Sequence, residues 1–418
     1  MIQTRLKQSI CALALLSCAH PLAQAGDFNF SGFMSIGGGF VDDESAPSYA
    51  GYSEEDLTFD NSLLGIQVSS DISDELSATV QLTARSFDGF DVEAEWAYVS
   101  WQATDESTVR IGRLRTPFYM YSDYLDVGYA YPWISPPNEV YYLPFNNVNG
   151  IDYYTTGTLG SFDTTMQVYF GGFTDTLNQG GMDVEAKTRN QLGFAGTLAK
   201  DWWTFRAAYH TAKLSIDLTP VGLPSSISGP ASDLNNAVNS QLPPEAQHTL
   251  QSPLTIGGFA DFLTHLGYNQ NTDRMLIQDD TAQFLEVGVN IDTGTFVAAA
   301  EHVELRLDDE TLFSDNIRQF VMVGVRTGDW LIHLTASKAD DDASQISKGV
   351  AVTDQVSGTV KQLLDGLAAD DPLTRDTVTL GARWDITAGT ALKIQYSDVD
   401  TEGRAGQKVY AFALQTVF

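Results

Sequence analysis

Residues 76–84 read LSATVQLTA. In an extended chain Leu76, Ala78, Val80, Leu82 and Ala84 fall on one side, and Ser77, Thr79, Gln81 and Thr83 on the other. Successive side chains of a strand point to opposite faces, so this stretch predicts a strand with one apolar and one polar face. The pattern recurs along the chain. Residues 285–291, LEVGVNI, set Leu285, Val287, Val289 and Ile291 against Glu286, Gly288 and Asn290. Residues 378–386, VTLGARWDI, set Val378, Leu380, Ala382, Trp384 and Ile386 against Thr379, Gly381, Arg383 and Asp385. Leu392, Ile394 and Tyr396 share a face in the same way.

Sixteen such segments can be placed: 28–40, 59–70, 75–86, 92–103, 107–115, 149–157, 162–173, 187–199, 202–215, 280–291, 295–307, 315–326, 329–338, 374–386, 389–398 and 407–418. Most approach the ~9–11 residues with which a tilted strand crosses a bilayer. Their connections alternate in length. Even strands are followed by short turns such as DISD, TDES, TLGS and DTGT; odd strands by longer segments at 41–58, 87–91, 116–148, 174–186, 216–279, 308–314, 339–373 and 399–406. Short turns on one side and long loops on the other predict an all-β, transmembrane antiparallel barrel of about sixteen strands. The even count places both ends on the short-turn, periplasmic side. Trp96, Trp101, Trp203, Phe205, Phe296, Trp330 and Trp384 sit close to turns, as interfacial girdle residues would. Arg85, Glu286, Arg318, Arg383, Asp385 and Lys393 occupy polar faces and are expected to meet water.

The first 25 residues read differently. Arg5 and Lys7 precede a short apolar run, SICALALLSCA, and Ala23-Gln24-Ala25 offers a small-residue cleavage pattern. This predicts a secretory signal peptide, with residues 26–418 as the exported barrel. Leu15-Leu16-Ser17-Cys18 is a weaker, lipoprotein-like alternative. Both cysteines, Cys11 and Cys18, lie in that leader, so the exported part holds no disulfide. Without Arg5 and Lys7 it carries 21 basic against 54 acidic residues, a formal charge of −33. That excludes nucleic acid as a partner, which needs basic patches. The acidic residues gather at 42–44, 53–56, 308–310 and 340–342, read either as solvated loops or as divalent-cation sites beside anionic lipid.

Catalytic patterns are poor. His210, His248, His265, His302 and His333 show no metal spacing, no Gly-x-Ser-x-Gly occurs, and IGGGF at 36–40 sits within a strand with no helix after it. No cofactor or metal is expected. His302, Glu304 and Arg306 share one strand face and read as polar lumen wall.

Residues 409–418, VYAFALQTVF, put Tyr410, Phe412, Leu414 and Phe418 on one face. This resembles the recognition signal of outer-membrane barrels, with Thr416 departing from the usual hydrophobic residue. Together with the strand count and leader, it makes residues 26–418 resemble the Gram-negative general porins. The resemblance implies a homotrimer of water-filled barrels in the bacterial outer membrane. It implies contact with outer-membrane lipid and lipopolysaccharide, delivery by the barrel-assembly machinery, and passage of small hydrophilic solutes. In that family the third external loop folds into the lumen. Here the corresponding segment is 116–148, entered through GRLRTPF and left through NGIDYYT, where Asn149, Ile151 and Tyr153 match an Asn-x-aliphatic-x-Tyr spacing. The Pro-Glu-Phe-Gly-Gly-Asp motif of the enteric loop is absent, so the detailed eyelet of that branch is not expected.

From Pro117 to Phe145 the segment holds five prolines and ten aromatic residues. Prolines exclude a central strand and fix the path of the chain; the aromatic rings offer surface to pack on a wall. Asp123, Asp126 and Glu139 are its formal charges, and Arg85, Arg110, Arg113 and Arg115 are the arginines nearest in the pattern. They predict a constriction with a transverse field, or ion pairs that anchor the loop. Two further long external loops, 216–279 and 339–373, contain helical stretches. In the second, Val356, Val360, Leu363, Leu364 and Leu367 form a stripe that Asp354 can cap. The reading is a passive diffusion channel. The alternatives are a channel specific for sugar, phosphate or organic anion, a non-conducting outer-membrane barrel, and an outer-membrane hydrolase.

Overall fold

The computed structural model describes residues 27–43, 48–53, 56–179, 181–247, 250, 254–307, 311–313, 315–369 and 374–418. The expected signal peptide, the middle of the acidic run at 53–56 and all of that at 308–310 lie outside them. Sixteen strands form: β1 (Phe28–Val41), β2 (Leu63–Asp71), β3 (Leu76–Arg85), β4 (Val92–Thr104), β5 (Ser107–Arg115), β6 (Asn147–Leu159), β7 (Phe162–Gln179), β8 (Met182–Lys200), β9 (Trp203–Ile216), β10 (Ile277–Asp292), β11 (Phe296–Leu307), β12 (Asn316–Thr327), β13 (Trp330–Asp341), β14 (Thr374–Thr387), β15 (Thr390–Thr401) and β16 (Gln407–Val417). Each pairs with its neighbours in sequence, and β1 pairs antiparallel with β16, with Ile36 opposite Leu414, so the sheet closes into a barrel. Closure leaves no unpaired edge.

The two faces of the sheet are inverted relative to a water-soluble protein. Val80 and Leu82 are 42% and 41% exposed, whereas Gln81 and Thr83 between them are 5% and 1% exposed. Leu285 and Val287 are exposed while Glu286 is buried, and Ile394 is exposed while Lys393 is buried. A continuous apolar outer surface over polar inner positions is stable only against hydrocarbon. Trp101, Phe205, Phe296, Trp330 and Trp384 are exposed near the short turns, and the Trp330 and Trp384 rings stack at 5.5 Å. Trp96 departs from this group: it is half-buried beside Tyr98, on the face opposite Val99 and Trp101.

Two other local expectations change. Residues 174–186 are not a loop. β7 and β8 run on as a long hairpin to Gln179 and Met182, with Gly181 at φ +80° in the turn, and Leu177, Val184 and Ala186 bury against other segments on the long-loop side. His302, Glu304 and Arg306 lie on the outer face of β11, because Glu301 and Val303 point inward. There Glu304 accepts from His302 at 3.2 Å and from Arg306 at 2.6 Å.

On the long-loop side, helices Ser225–Asn239, Ile256–His265, Asn269–Met275 and Gln355–Ala369 gather into one apolar cluster. Ser357 N–H donates to Asp354 Oδ1 at 2.8 Å, and Val360, Leu363, Leu364 and Leu367 face the cluster. Ile216 and Ile277 root it on the strand ends, and Phe145 joins it from the segment between β5 and β6.

Candidate functional site

Thr116 N–H donates to the Asn146 carbonyl at 2.9 Å and closes the base of the segment between β5 and β6. Five prolines deny the segment a ladder of its own, and only two 3-10 turns form, at Ser122–Tyr124 and Gly128–Ala130. Its order comes from the inner face of the barrel. Phe118, Tyr119, Tyr121, Tyr131, Trp133 and Val140 are buried in one cluster with Phe284 of β10, Val297, Ala299 and Val303 of β11, Phe320 and Met322 of β12, and Leu331 of β13. Ring contacts are close: Phe118 to Phe284 at 5.1 Å and Trp133 to Phe320 at 5.4 Å.

The backbone is satisfied by wall side chains. A buried carbonyl without a donor is costly, and here five wall residues answer eight of them. Arg206 donates to Pro117 and Phe118. Lys393 donates to Gly128, Tyr131 and Trp133 at 2.6, 2.7 and 2.5 Å. Arg383 reaches Tyr129 and Tyr131, Gln415 reaches Ile134, and Arg318 reaches Glu139. Side chains add Trp133 Nε1 to Thr335 at 2.8 Å, Tyr142 to Asn316 at 2.6 Å, and Tyr141 and the Met120 N–H to Glu301. The wall charges expected to meet water therefore lie largely under the segment: Glu286 and Lys393 are fully buried, and Arg318 nearly so.

The residues singled out by sequence separate into five situations. Asp126 sits between Arg85, at 2.8 Å, and Arg115, with Glu95 also on Arg85 at 2.5 Å. Burial would push the Asp126 carboxyl up, but the Arg115 and Arg85 guanidinium groups hold it below its ordinary value. Arg110 is bound by Asp152 on the neighbouring strand and lies between the rings of Tyr98 and Tyr154. Arg113 lies over Phe173 at 4.9 Å. Glu139 is 1% exposed. Its carboxylate accepts from Ser337 and Thr377, both at 2.7 Å, and from Tyr49 at 3.3 Å, so it anchors the segment and does not face water. Asp123 alone of the three acids is exposed, and it has no ion pair among the described residues.

The expected facing rows of charge are thus mostly closed into local pairs. Arg206 and Glu301 had not been singled out. Alternation could have found Arg206, which shares the polar face of β9 with Thr204 and His210. Glu301 shares its face with Ala299 and Val303, and nothing local marks it.

The segment makes these contacts with β9 to β16 and, at its root, with β3 to β5. A cavity of about 280 Å³ lies between residues 117–124 and β6 to β10. Asp123, Tyr124, Tyr154, Thr165, Gln167, Thr197, Arg206 and Asn290 are among its lining residues. Arg206 is held there by Glu286 as well as by the two carbonyls. Desolvation, then the Asp123 charge, push the Tyr124 phenol up to about 12.

A closed sixteen-strand barrel, apolar outside and polar inside, with a long segment packed on its inner face, defines a porin-type barrel. No family model matches the chain, and no curated protein matches it. Solved structures do. OmpF of Salmonella typhi, in complex with daunomycin, superposes with a TM-score of 0.54 at 10% identity, over 94% of this chain and 98% of that one. The outer-membrane channel DcaP of Acinetobacter baumannii gives 0.54 at 11% identity, over 94% and 97%. An anion-selective porin from Comamonas acidovorans gives 0.51 at 12% identity, over 94% and 99%. The chain has the fold of Gram-negative porins, and at these identities the likeness is one of fold.

Proposed function

We propose that the protein is an outer-membrane channel through which small hydrophilic solutes and ions diffuse passively, without catalysis. The observation that carries this is the inner face. Outside the apolar patch on β10 to β13 it is polar, and the segment 116–146, inferred to be an external loop folded into the lumen, leaves a polar cavity along β6 to β10. A narrow passage with hydroxyl, amide and carboxylate walls admits hydrated solutes and disfavours apolar ones. Asp123 is the unpaired charge in that passage, and the acidic external loops enrich cations at the mouth. Weak cation selectivity is therefore expected, declining as salt shortens the Debye length to a few ångströms.

Planar-bilayer recording of the purified protein in a KCl gradient tests this: discrete pores with a cation-side reversal potential at low salt are expected. A protein that inserts but never conducts would leave a non-conducting barrel. Lipid hydrolysis without conductance would point to the hydrolase. A second reading, a solute-selective channel, is favoured by the tyrosine rings at the cavity.

Assembly follows from the sequence resemblance. A homotrimer embedded among outer-membrane lipid and lipopolysaccharide is proposed, after export through a cleaved leader at 1–25. Native mass in mild detergent checks it, and a monomer throughout would remove the trimer while leaving the barrel. Tyr410, Leu414 and Phe418 are exposed on the outer face of β16, with Phe412 half-buried. They are proposed as the signal read by the barrel-assembly machinery. Deleting Phe418 also removes its backbone pair with Gly32, at 2.7 and 2.9 Å, and should lower the yield of heat-modifiable barrel in the outer membrane. Normal yield would count against the signal.

A further inference from the structure

The cavity between residues 117–124 and β6 to β10 holds an unbalanced charge. Arg206 is held by Glu286 and by the carbonyls of Pro117 and Phe118. Arg110, behind Tyr154, is neutralised by two contacts to Asp152. Asp123 lines the same space with no ion pair among the described residues, and its charge acts on Arg110. Its neighbours are aromatic: Tyr124, 37% exposed, from the segment, and half-buried Tyr154 from β6. Gln167 and Asn290 line the remaining wall, with side chains already engaged by Asp152 and Tyr121. The volume of about 280 Å³ is close to the smallest small-molecule sites, ~300 Å³.

A carboxylate without an ion pair, in a cavity lined by tyrosine rings and beside guanidinium groups already held by other acids, is the chemistry that holds an organic ammonium ion. The carboxylate supplies the charge, and the rings supply cation–π attraction to groups too weakly hydrated to prefer water. An inorganic cation gains less from the rings, because it must shed a tighter hydration shell. An anion meets the Asp123 charge, while Arg206 and Arg110 are already paired with Glu286 and Asp152. A neutral polyol finds rings, amides and hydroxyls but gains nothing from the Asp123 charge.

We infer that Asp123, Tyr124 and Tyr154 form a binding station for small organic cations carrying an ammonium group, which makes the passage selective among solutes. This rests on the channel reading above and refines it.

Choline chloride serves as the probe, with glucose and sodium gluconate as neutral and anionic controls, on the full-length barrel in detergent and in bilayers. Calorimetry should detect choline binding and neither control. Asp123→Asn should weaken binding by roughly tenfold, the scale of losing one charge-assisted contact. Tyr154→Leu should weaken it by a few-fold, while Tyr154→Phe, which keeps the ring face, should not. In bilayers, choline should interrupt the wild-type current and leave the Asp123→Asn current uninterrupted. Glucose binding as tightly as choline, or Asp123→Asn binding choline as the wild type does, would overturn the station. Conductance without choline binding overturns the station and leaves the channel. Choline binding without conductance keeps the station and removes the channel.

Discussion

Deleting residues 120–142 is expected to raise single-channel conductance several-fold and to shift selectivity toward anions. The deletion takes Tyr121, Tyr131, Trp133 and Tyr141 out of the aromatic cluster that fills the β10–β13 side of the barrel. Sixteen strands enclose room for an aqueous channel once nothing occupies it. The barrel itself should persist, since every strand pairs with both neighbours through its own backbone. Residues 117–119 and 143–145 remain to join β5 to β6, enough for a hairpin connection. The charge consequence is one-sided. Residues 120–142 contain Asp123, Asp126 and Glu139 and no lysine or arginine. Their loss uncovers Lys393, which has no ion pair among the described residues, and strips Asp126 from Arg85, which keeps Glu93 and Glu95, and from Arg115, which keeps Glu95. Heat-modifiable mobility would establish that the barrel is folded, and bilayer recording would give conductance and reversal potential. A folded deletion that conducts no better than the parent would mean the segment does not narrow the passage. Its wall contacts would then be those of a plug set to one side of it.

How much of this was readable beforehand follows from the range of the interactions. The strands were legible because alternation is local: Gln81 and Thr83 bury, and Val80 and Leu82 expose, as their positions in LSATVQLTA require. The β7–β8 hairpin was misread because its far end buries Leu177, Val184 and Ala186 against segments on the long-loop side, a burial that no local pattern announces. His302, Glu304 and Arg306 were assigned inward because charge was equated with lumen. They sit on the outer face of β11, paired with one another.

The docking of segment 116–146 depends on partners as distant as Ile134 and Gln395, which sequence cannot join. One signal was nevertheless present. Residues 319–325, QFVMVGV, are apolar at both parities, and Phe320 and Met322 turn inward while Val321 and Val323 turn outward. A strand apolar on both faces is covered on both faces. Residues 297–303 give a weaker form of the same mark, since Val297, Ala299 and Val303 face inward around Glu301. The two strands together trace where the aromatic segment lies. Charged residues were harder to place. Asp126, Glu139 and Asp123 look alike in sequence, and only the arrangement of Arg85, Arg115, Ser337 and Thr377 distinguishes two held groups from one free group.

Lys393→Met is expected to leave the barrel folded while loosening the segment, giving higher and noisier single-channel currents. Lys393 is 0% exposed. Its ammonium has three donors, and they go to the carbonyls of Gly128, Tyr131 and Trp133, with the Tyr131 ring 5.0 Å away. Methionine keeps most of the stem but none of the donors. A buried acceptor deprived of its donor costs ~1–3 kcal/mol, and the three losses need not add. Against this, burying a charge without a counter-ion is itself unfavourable, so the barrel can gain what the docked segment loses.

The two effects fall on different observables. Thermal unfolding of the barrel should change little, whereas docking of residues 128–134 should weaken by one to two orders of magnitude, as a loss of ~1.4–3 kcal/mol dictates. Arg383, which holds Tyr129 and Tyr131, keeps the segment from leaving altogether, so Lys393→Met combined with Arg383→Met should exceed either change alone. Lys393→Arg should restore docking only in part, because a planar guanidinium cannot direct donors to three carbonyls arranged around an ammonium. Open-channel noise and mean conductance measure docking, and the heat-modifiability midpoint measures the barrel. Wild-type noise and conductance in Lys393→Met would show that Lys393 does not hold the segment. A collapse of the barrel instead would place the cation in the stability of the wall.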